Sequence, residues 1–164
     1  MKNILLAIFI LLVLAWYLSF LASRLDRLHH RVETSWEHLD ALLQRRAAVA
    51  LEIAHFAEID PATSLVLTAS AYQAREASIV ERSEAESSLS EVLKLLIGEG
   101  STPINAELSR ELTEITEKIK FGITIHLEAV NSARNVRAKS FVKLFRLAGH
   151  APLPVHYAFE DDVL

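Results

Sequence analysis

The apolar positions begin with one uninterrupted run. Residues 4–22 are 19 residues, of which 18 are apolar and none is charged. As a helix this run would be about 28 Å long, close to the roughly 30 Å hydrocarbon thickness of a bilayer. Trp16 and Tyr17 stand near its end, where aromatic rings favour the headgroup region. A cleaved signal peptide would have a shorter apolar core and small residues at its cleavage site, a pattern that Phe20 interrupts. The run therefore predicts an uncleaved transmembrane anchor over residues 1–23, with residues 4–22 in the lipid.

After residue 23 the apolar residues recur every three or four positions, which is the spacing of one helix face. The first such helix is predicted over about residues 24–59. No helix breaker separates it from residues 4–22, so the two can form one continuous helix. The predicted apolar stripe comprises Leu25, Leu28, Val32, Trp36, Leu39, Leu43, Ala50, Ile53 and Ala57.

Asp60-Pro61 predicts the start of a second helix. Aspartate suits the N-cap, and proline suits the first helical position, where its missing N–H costs nothing. The predicted stripe comprises Leu65, Ala69, Tyr72, Ile79, Leu89, Val92, Leu93 and Leu96. Residues 82–88 contain a single apolar side chain, Ala85, which predicts a break or kink in that stretch.

Residues 98–103 predict the second turn, because Gly98 can end a helix and Pro103 can start one. The last helix is predicted to reach Leu147. Its stripe comprises Leu108, Leu112, Ile115, Ile119, Gly122, His126, Ala129, Ala133 and Val136. Residues 149–164 form an irregular tail, whose apolar side chains could pack back on the helices. The predicted fold is all-α: a transmembrane helix, then a long antiparallel bundle of three to four helices over residues 24–148.

The composition narrows the chemistry. The chain has no cysteine, which excludes disulfides, thiol nucleophiles and cysteine-based zinc sites. Four glycines and four prolines are too few for the many tight turns of a β-sandwich or barrel. Gly98-Glu-Gly100 lacks the further residues of a phosphate-binding loop, and no hydrolase or metalloprotease motif occurs. We therefore predict a protein that is not an enzyme and that carries no cofactor.

One set of residues along the chain matches a family pattern. In chain order the set is Leu28, Arg31-Val32-Glu33, Trp36, Asp40, Leu43, Arg45-Arg46, Glu117-Lys118-Ile119, Ala129-Val130, Phe145 and Ala158-Phe159-Glu160. With the anchor, this pattern resembles the LemA family of bacterial membrane-anchored helical proteins over nearly the whole chain. Val49-Ala-Leu-Glu52 replaces the family's Pro-Asn-Leu-Val type segment. His126-Leu127 and Ala133-Arg134 replace its two Tyr-Asn pairs, so the chain looks like a divergent member. The resemblance implies an anchored α-helical domain and no known catalytic residue.

Arg45 and Arg46 are the first candidates for contact with a partner, because guanidinium groups recognise carboxylates and phosphates well. The alternative is a solvated or intrahelical salt-bridged pair. Arg134, Arg137 and Lys143 are the second set. They belong to a basic stretch with no acidic residue between Glu128 and Glu160.

Several roles are open to this basic stretch. Its cations could stabilise a helix C-terminus or pair with acids of the tail, and they could instead contact a protein, lipid or nucleic acid. If the helices lead away from, back to and again away from the bilayer, the stretch should lie tens of Å from it. This path favours a protein over lipid, and no nucleic acid is expected.

Two pairs could contribute metal ligands. Glu52 and His55 share one helix face, as do His30 and Glu33. A di-iron bundle needs a second Glu-x-x-His pair and two more inward glutamates, so Glu52 and His55 are interpreted as a solvated polar face. A metal at His30 and Glu33 would need more ligands from another helix, so this pair is interpreted as part of a hydrated polar layer above the bilayer. His126 lies on the apolar stripe and is interpreted as a buried histidine with one hydrogen-bond partner, with a pH switch as the alternative.

Together these features predict a membrane-anchored, non-enzymatic scaffold or adaptor for protein–protein interaction at the bacterial cell envelope. The expected partner is a membrane or envelope protein, or another copy of the chain in a homo-oligomer. A metal- or ligand-binding bundle with a sensory or enzymatic role is the alternative. Arg24, Arg27 and Arg31 follow the span, whereas only the amino terminus and Lys2 precede it. This balance favours a single-pass protein of the cell membrane with its C-terminal domain in the cytoplasm.

Overall fold

A computed structural model describes residues 1–55, 59–98 and 105–145. Five helices account for nearly all of these residues, and no strand occurs among them. The helices are α1 (Lys2–Ala54), α2 (Pro61–Glu76), α3 (Arg82–Gly98), α4 (Ala106–Arg137) and α5 (Ser140–Leu144). The predicted all-α class is therefore confirmed for the described part of the chain.

The first helix, α1, is one uninterrupted helix of 53 residues. This confirms that no break separates residues 4–22 from the polar stretch that follows, and the predicted boundary after residue 23 lies inside the helix. One segment of α1 is long and apolar enough to cross a membrane, and almost none of it is buried in the protein. Its large side chains are exposed as far as Phe20, except for the half-buried Leu18.

The end of α1 comes earlier than predicted, at Ala54 instead of Ile59. Ile59 lies in a bend. The Ser64 hydroxyl donates to the Ala54 carbonyl at 2.6 Å, which joins the first turn of α2 to the end of α1. Asp60 is also held outside the helical region, with ψ at 133°, as expected for a residue before proline.

The predicted start of α2 is confirmed. The Asp60 carboxylate accepts hydrogen bonds from the Ala62 and Thr63 N–H groups at 3.0 and 3.1 Å. Pro61 is the first residue of the helix. Two of the otherwise unpaired N–H groups of the first turn are satisfied in this way.

The predicted buried face of α2 is wrong. Leu65, Ala69 and Tyr72 are exposed. The buried residues are Leu67, Ser70, Ala71 and Ala74. These mostly small side chains let α2 pack closely against α3. The prediction followed the size of the apolar side chains, whereas close packing between helices selects small ones.

The predicted break lies a few residues too late. The chain leaves the helix at residues 77–81, where Ala77 has a ψ of 130°, and residues 82–88 are helical. Ile79 is exposed in the turn instead of lying on a stripe. Residues 82–88 stay helical despite few apolar side chains because Arg82 and Glu86 are buried as partners in ion pairs.

The stripe of α4 is confirmed. Asn105 caps the helix by accepting a hydrogen bond from the Glu107 N–H at 2.8 Å. Leu108 is half-buried, and the other eight predicted positions are buried: Leu112, Ile115, Ile119, Gly122, His126, Ala129, Ala133 and Val136. Residues 99–104, with the predicted restart at Pro103, lie outside the described residues, as does Ala57.

The predicted end of the last helix, Leu147, is wrong. Helix α4 ends at Arg137, and the short α5 follows. On a straight helix Val142 would lie about 120° around the axis from Val136. The turn after Arg137 instead lets both valines join one apolar cluster with Leu21 and Leu25. The predicted tail, residues 149–164, lies outside the described residues.

The chain packs as two compact units. Within the described residues, the first unit comprises 1–35 and 127–145, and the second comprises 36–55, 59–98 and 105–126. The first unit is held by the cluster around Leu25 and Val136. The second has a core that includes Leu39, Leu43, Leu89 and Ile119, each with no exposed surface.

The expected position of the basic stretch, far from the apolar run, is wrong. Val136 and Val142 pack against Leu21 and Leu25, so the end of α4 lies beside the end of the apolar run and not tens of Å away. The expected path had one helix between α1 and the last helix, whereas the interruption at residues 77–81 divides that stretch into α2 and α3.

Candidate functional site

A buried ion pair joins α1 to α3 in the second unit. Arg46 Nη2 donates to Glu86 Oε2 at 2.6 Å and to the Glu86 carbonyl at 3.3 Å. The two side chains are 2% and 1% exposed. Such a pair is a weak source of net stability, because desolvation of both charges offsets their attraction. The hydrogen bonds of the pair hold Arg46 of α1 directly opposite Glu86 of α3.

A second ion pair lies next to the first. Arg82 Nη2 is 2.8 Å from Asp40 Oδ1, and Arg82 Nη1 donates to the Ala74 carbonyl at 2.7 Å. The contact with Asp40 is a close approach of charges outside hydrogen-bond geometry. Arg82 thereby connects α1, α2 and α3. The buried residues Arg46, Arg82 and Glu86 and the half-buried Asp40 form one charge network, called the buried charge network below.

The titration of Glu86 reflects this burial. Desolvation raises the pKa of the carboxyl above its ordinary value of 4.5, although the neighbouring Arg46 lowers it. Arg82 acts in the same direction as Arg46, and Asp40 in the opposite one. The folded chain therefore holds the Glu86 proton to a higher pH than the unfolded chain does.

We expect this shift to appear in the pH dependence of stability. Well below pH 4.5, Glu86 is protonated in both the folded and the unfolded chain. As the pH rises through the raised pKa, the unfolded chain releases the proton first, so the wild type loses stability relative to Glu86→Gln. Urea unfolding of both proteins between pH 4 and 7 measures this difference. The exposed Glu84→Gln on the same helix is the matched control, and a wild type that gains on Glu86→Gln would contradict the expected sign.

The two predicted partner-contact arginines have different environments. Arg46 is enclosed, so in this conformation its guanidinium offers no donor to the surface. Arg45 is half-exposed; its Nε donates to Glu111 of α4 at 2.9 Å, and its Nη1 lies 3.7 Å from Glu52. The sequence reasoning missed Asp40, Arg82 and Glu86. The usable signal was the spacing of Arg82, Glu86 and Leu89 on one helix face, in line with buried apolar residues.

The other predicted contact residues lie in the first unit. Arg134 and Arg137 are half-buried on α4, and Arg137 Nη1 is 3.5 Å from His29 Nε2. Lys143 belongs to α5, but its side chain lies outside what is described. Arg31 also connects α1 to α4 here, through Glu128 at 3.4 Å.

The candidate metal ligands remain dispersed. His30 Nδ1 and Glu33 Oε2 are exposed and 4.0 Å apart. Glu52 and His55 border an open cavity of about 520 Å³ with Asn105, Glu107, Leu108 and Glu111. Within residues 1–55, 59–98 and 105–145, no three His, Asp or Glu side chains are grouped to hold a metal ion. His126 is buried, and its ring centroid lies 5.7 Å from that of Trp36.

The largest recess of the second unit among those described is an open groove of about 860 Å³. Two α1 residues, His38 and Leu42, form one wall, and α4 forms the other with Arg110, Thr113, Glu114, Glu117, Lys118, Phe121, Gly122 and Ile125. Phe121 is 69% exposed at this groove. Gly122 lets the two helices approach closely, since a Cβ there would lie 3.3 Å from Leu39 Cδ1.

No protein-family model, curated protein or solved structure matches the chain. The resemblance to the LemA family therefore stays a prediction that rests on the residues of the sequence. The buried charge network and the apolar groove are the features of the second unit from which a function can be argued.

Proposed function

We propose that the protein is a membrane-anchored, non-enzymatic helical adaptor that binds another protein at the bacterial cell envelope. Residues 4–22 cross the bilayer, and α1 to α4 form an antiparallel bundle beyond it. The exposed apolar side chains of the run support the anchor, because a soluble protein rarely exposes so large a continuous apolar surface. Divergent membership of the LemA family belongs to the same proposal, as does a cytoplasmic position of the bundle.

The groove between α1 and α4 in the second unit carries the proposal. Its apolar surface comes from Leu42, Phe121 and Ile125. Its charged residues are two of each sign, namely Arg110, Lys118, Glu114 and Glu117. Because these charges cancel, the groove does not favour a highly charged ligand such as a nucleic acid. An amphipathic helix, with an apolar side chain in the groove and mixed charges around it, complements this surface.

The anchor supplies the mechanism of such an adaptor. Confining the second unit to a thin layer near the bilayer raises its effective concentration toward other membrane proteins. A groove of modest affinity is then sufficient for binding. Arg45 is half-exposed on α1, donates to Glu111 of α4 and lies near the groove residues Leu42 and Arg110, so it can contribute a polar contact at the edge of this interface.

The test is photo-crosslinking in native membranes with a probe at Thr113, which borders the groove. We expect capture of a membrane or envelope protein that disappears in Phe121→Asp. Leu65→Asp is the matched control, because Leu65 is similarly exposed, at 71%, but lies on α2. Crosslinks between copies of the chain that need Phe121 would identify the partner as a second copy. Capture that is unchanged in Phe121→Asp, or lost equally in both variants, would refute the groove as the binding site.

A further inference from the structure

Charge is unevenly distributed between the two units. Residues 36–126 carry eight basic and 15 acidic side chains. The polar parts of the first unit, residues 23–35 and 127–145, carry seven basic and three acidic ones. The basic residues are Arg24, Arg27, Arg31, Arg134, Arg137, Lys139 and Lys143, and the acidic residues are Asp26, Glu33 and Glu128. The excess of positive charge is therefore confined to the first unit of a chain whose net charge is −4.

The fold brings two separate basic segments together at the end of the apolar run. Val136 and Val142 pack on Leu21 and Leu25, and Arg137 reaches His29. The C-terminal end of α4 thus lies beside the turns of α1 that follow residue 22. Nothing in the spacing of the sequence joins these segments, which are about 110 residues apart.

The height of these residues matches the headgroup layer. Arg24 and Arg27 follow residue 22 by two and five positions, which is about 3 and 8 Å along a helix. The headgroup region on each side of a bilayer is about 5–8 Å thick. Arginine and lysine side chains can also extend several Å toward phosphates while their stems remain against apolar surface.

We propose that Arg24, Arg27, Arg134, Arg137 and Lys139, the basic collar, bind the headgroup phosphates of anionic lipids around the span. This inference rests on the proposed membrane anchor and adds the class of lipid that the protein selects. Guanidinium forks suit phosphate oxygens, and each cation held near an anionic membrane surface strengthens binding about fivefold.

Exposed apolar side chains accompany the collar. Leu144, the last residue of α5, and the next residue, Phe145, are exposed to solvent. Trp16 and Phe20 are exposed on α1, and their rings stack with centroids 6.2 Å apart. Cations beside exposed leucine and aromatic side chains are typical of surfaces that lie at a membrane interface. A protein partner would have to compete with lipid for this position.

The experiment measures lipid selectivity from tryptophan fluorescence. The full chain is reconstituted in vesicles that contain phosphatidylglycerol or phosphatidylcholine with brominated acyl chains. One of its two tryptophans, Trp16, lies inside residues 4–22 and reports bromine in adjacent lipid. We expect stronger quenching by the anionic lipid at low salt. The preference should fall about fivefold or more when Arg134, Arg137 and Lys139 are all replaced by glutamine, and it should weaken in 0.5 M salt.

A charge-matched control uses the second unit. Arg110→Gln, Lys118→Gln and Lys120→Gln together remove the same three charges from α4 away from the collar, and they should leave the preference unchanged. Circular dichroism checks that the collar variant is folded. Arg24→Gln with Arg27→Gln, at exposed positions, gives an independent reduction if it is not.

The outcomes separate this inference from the proposed function. Equal quenching by both lipids in the wild type would overturn the collar and leave the anchor standing. The same would follow from equal loss of preference in the collar variant and the control. Absence of quenching by either lipid would show that residues 4–22 are outside the bilayer, which would overturn the anchor and the collar together.

Discussion

Replacing Arg46 with methionine is expected to lower the free energy of unfolding by about 3–5 kcal/mol at pH 7. The substitution leaves Glu86 buried without the guanidinium that donates to it at 2.6 Å. Because Arg46 lowers the pKa of Glu86, its removal lets burial raise that pKa further. The loss should therefore be larger at pH 7 than at pH 4, where Glu86 can be protonated. Urea unfolding of the full chain in detergent, followed by circular dichroism, measures both quantities.

The double variant Arg46→Met, Glu86→Met distinguishes a buried charge from a general packing defect. It removes both members of the pair, and we expect it to recover most of the lost stability, because a buried ion pair can often be replaced by apolar residues of similar volume. Arg45→Met is the matched control at the neighbouring, half-exposed position. A double variant as unstable as Arg46→Met would contradict the proposed role of the charge.

Replacing Leu67 with alanine is expected to lower the free energy of unfolding by about 2–5 kcal/mol, and replacing Leu65 by less than about 0.5 kcal/mol. Both leucines lie on α2, but Leu67 is fully buried and Leu65 is 71% exposed. The first substitution leaves a cavity, whereas the second removes surface that already contacts solvent. Denaturant titration of the two variants under identical conditions measures the contrast.

The two variants serve as controls for each other, because the same substitution is made on the same helix at positions two residues apart. Equal losses would show that both faces of α2 are covered. A larger loss of stability for Leu65→Ala would show that the face with the larger apolar side chains is the buried one. It would contradict the packing of Ser70, Ala71 and Ala74 toward the interior.

The two arginine groups singled out from the sequence illustrate what burial decides. In both, guanidinium groups indicated contact with a partner. Arg46 lies inside the second unit, where its partner is Glu86 of the same chain. Arg134 and Arg137 lie beside the end of the apolar run, which makes the lipid the partner that we propose for them. Residue type alone is the same in the two cases, and only the neighbours differ.

The sequence by itself determined the helical class, the apolar run, the cap at Asp60 and the stripe of α4. These features depend on local physics: the length of an apolar segment, the hydrogen bonds of a helix end, and a repeat in which eight of nine predicted α4 positions are buried. Each can be recognised within one or two helical turns. The continuity of α1 follows equally, because no residue between the apolar run and Ala54 interrupts a helix.

The tertiary structure alone decided the features that depend on distant partners. Glu86 is buried because Arg46 lies 40 positions earlier in the chain, so residues 82–88 are helical where a lack of apolar side chains predicted a break. The face of α2 that carries the small side chains is buried because α3 packs against this helix. Val142 is buried because it packs in one apolar cluster with Leu21 and Leu25. The type of a side chain does not show which distant residue it will contact, because that contact depends on how the whole chain packs.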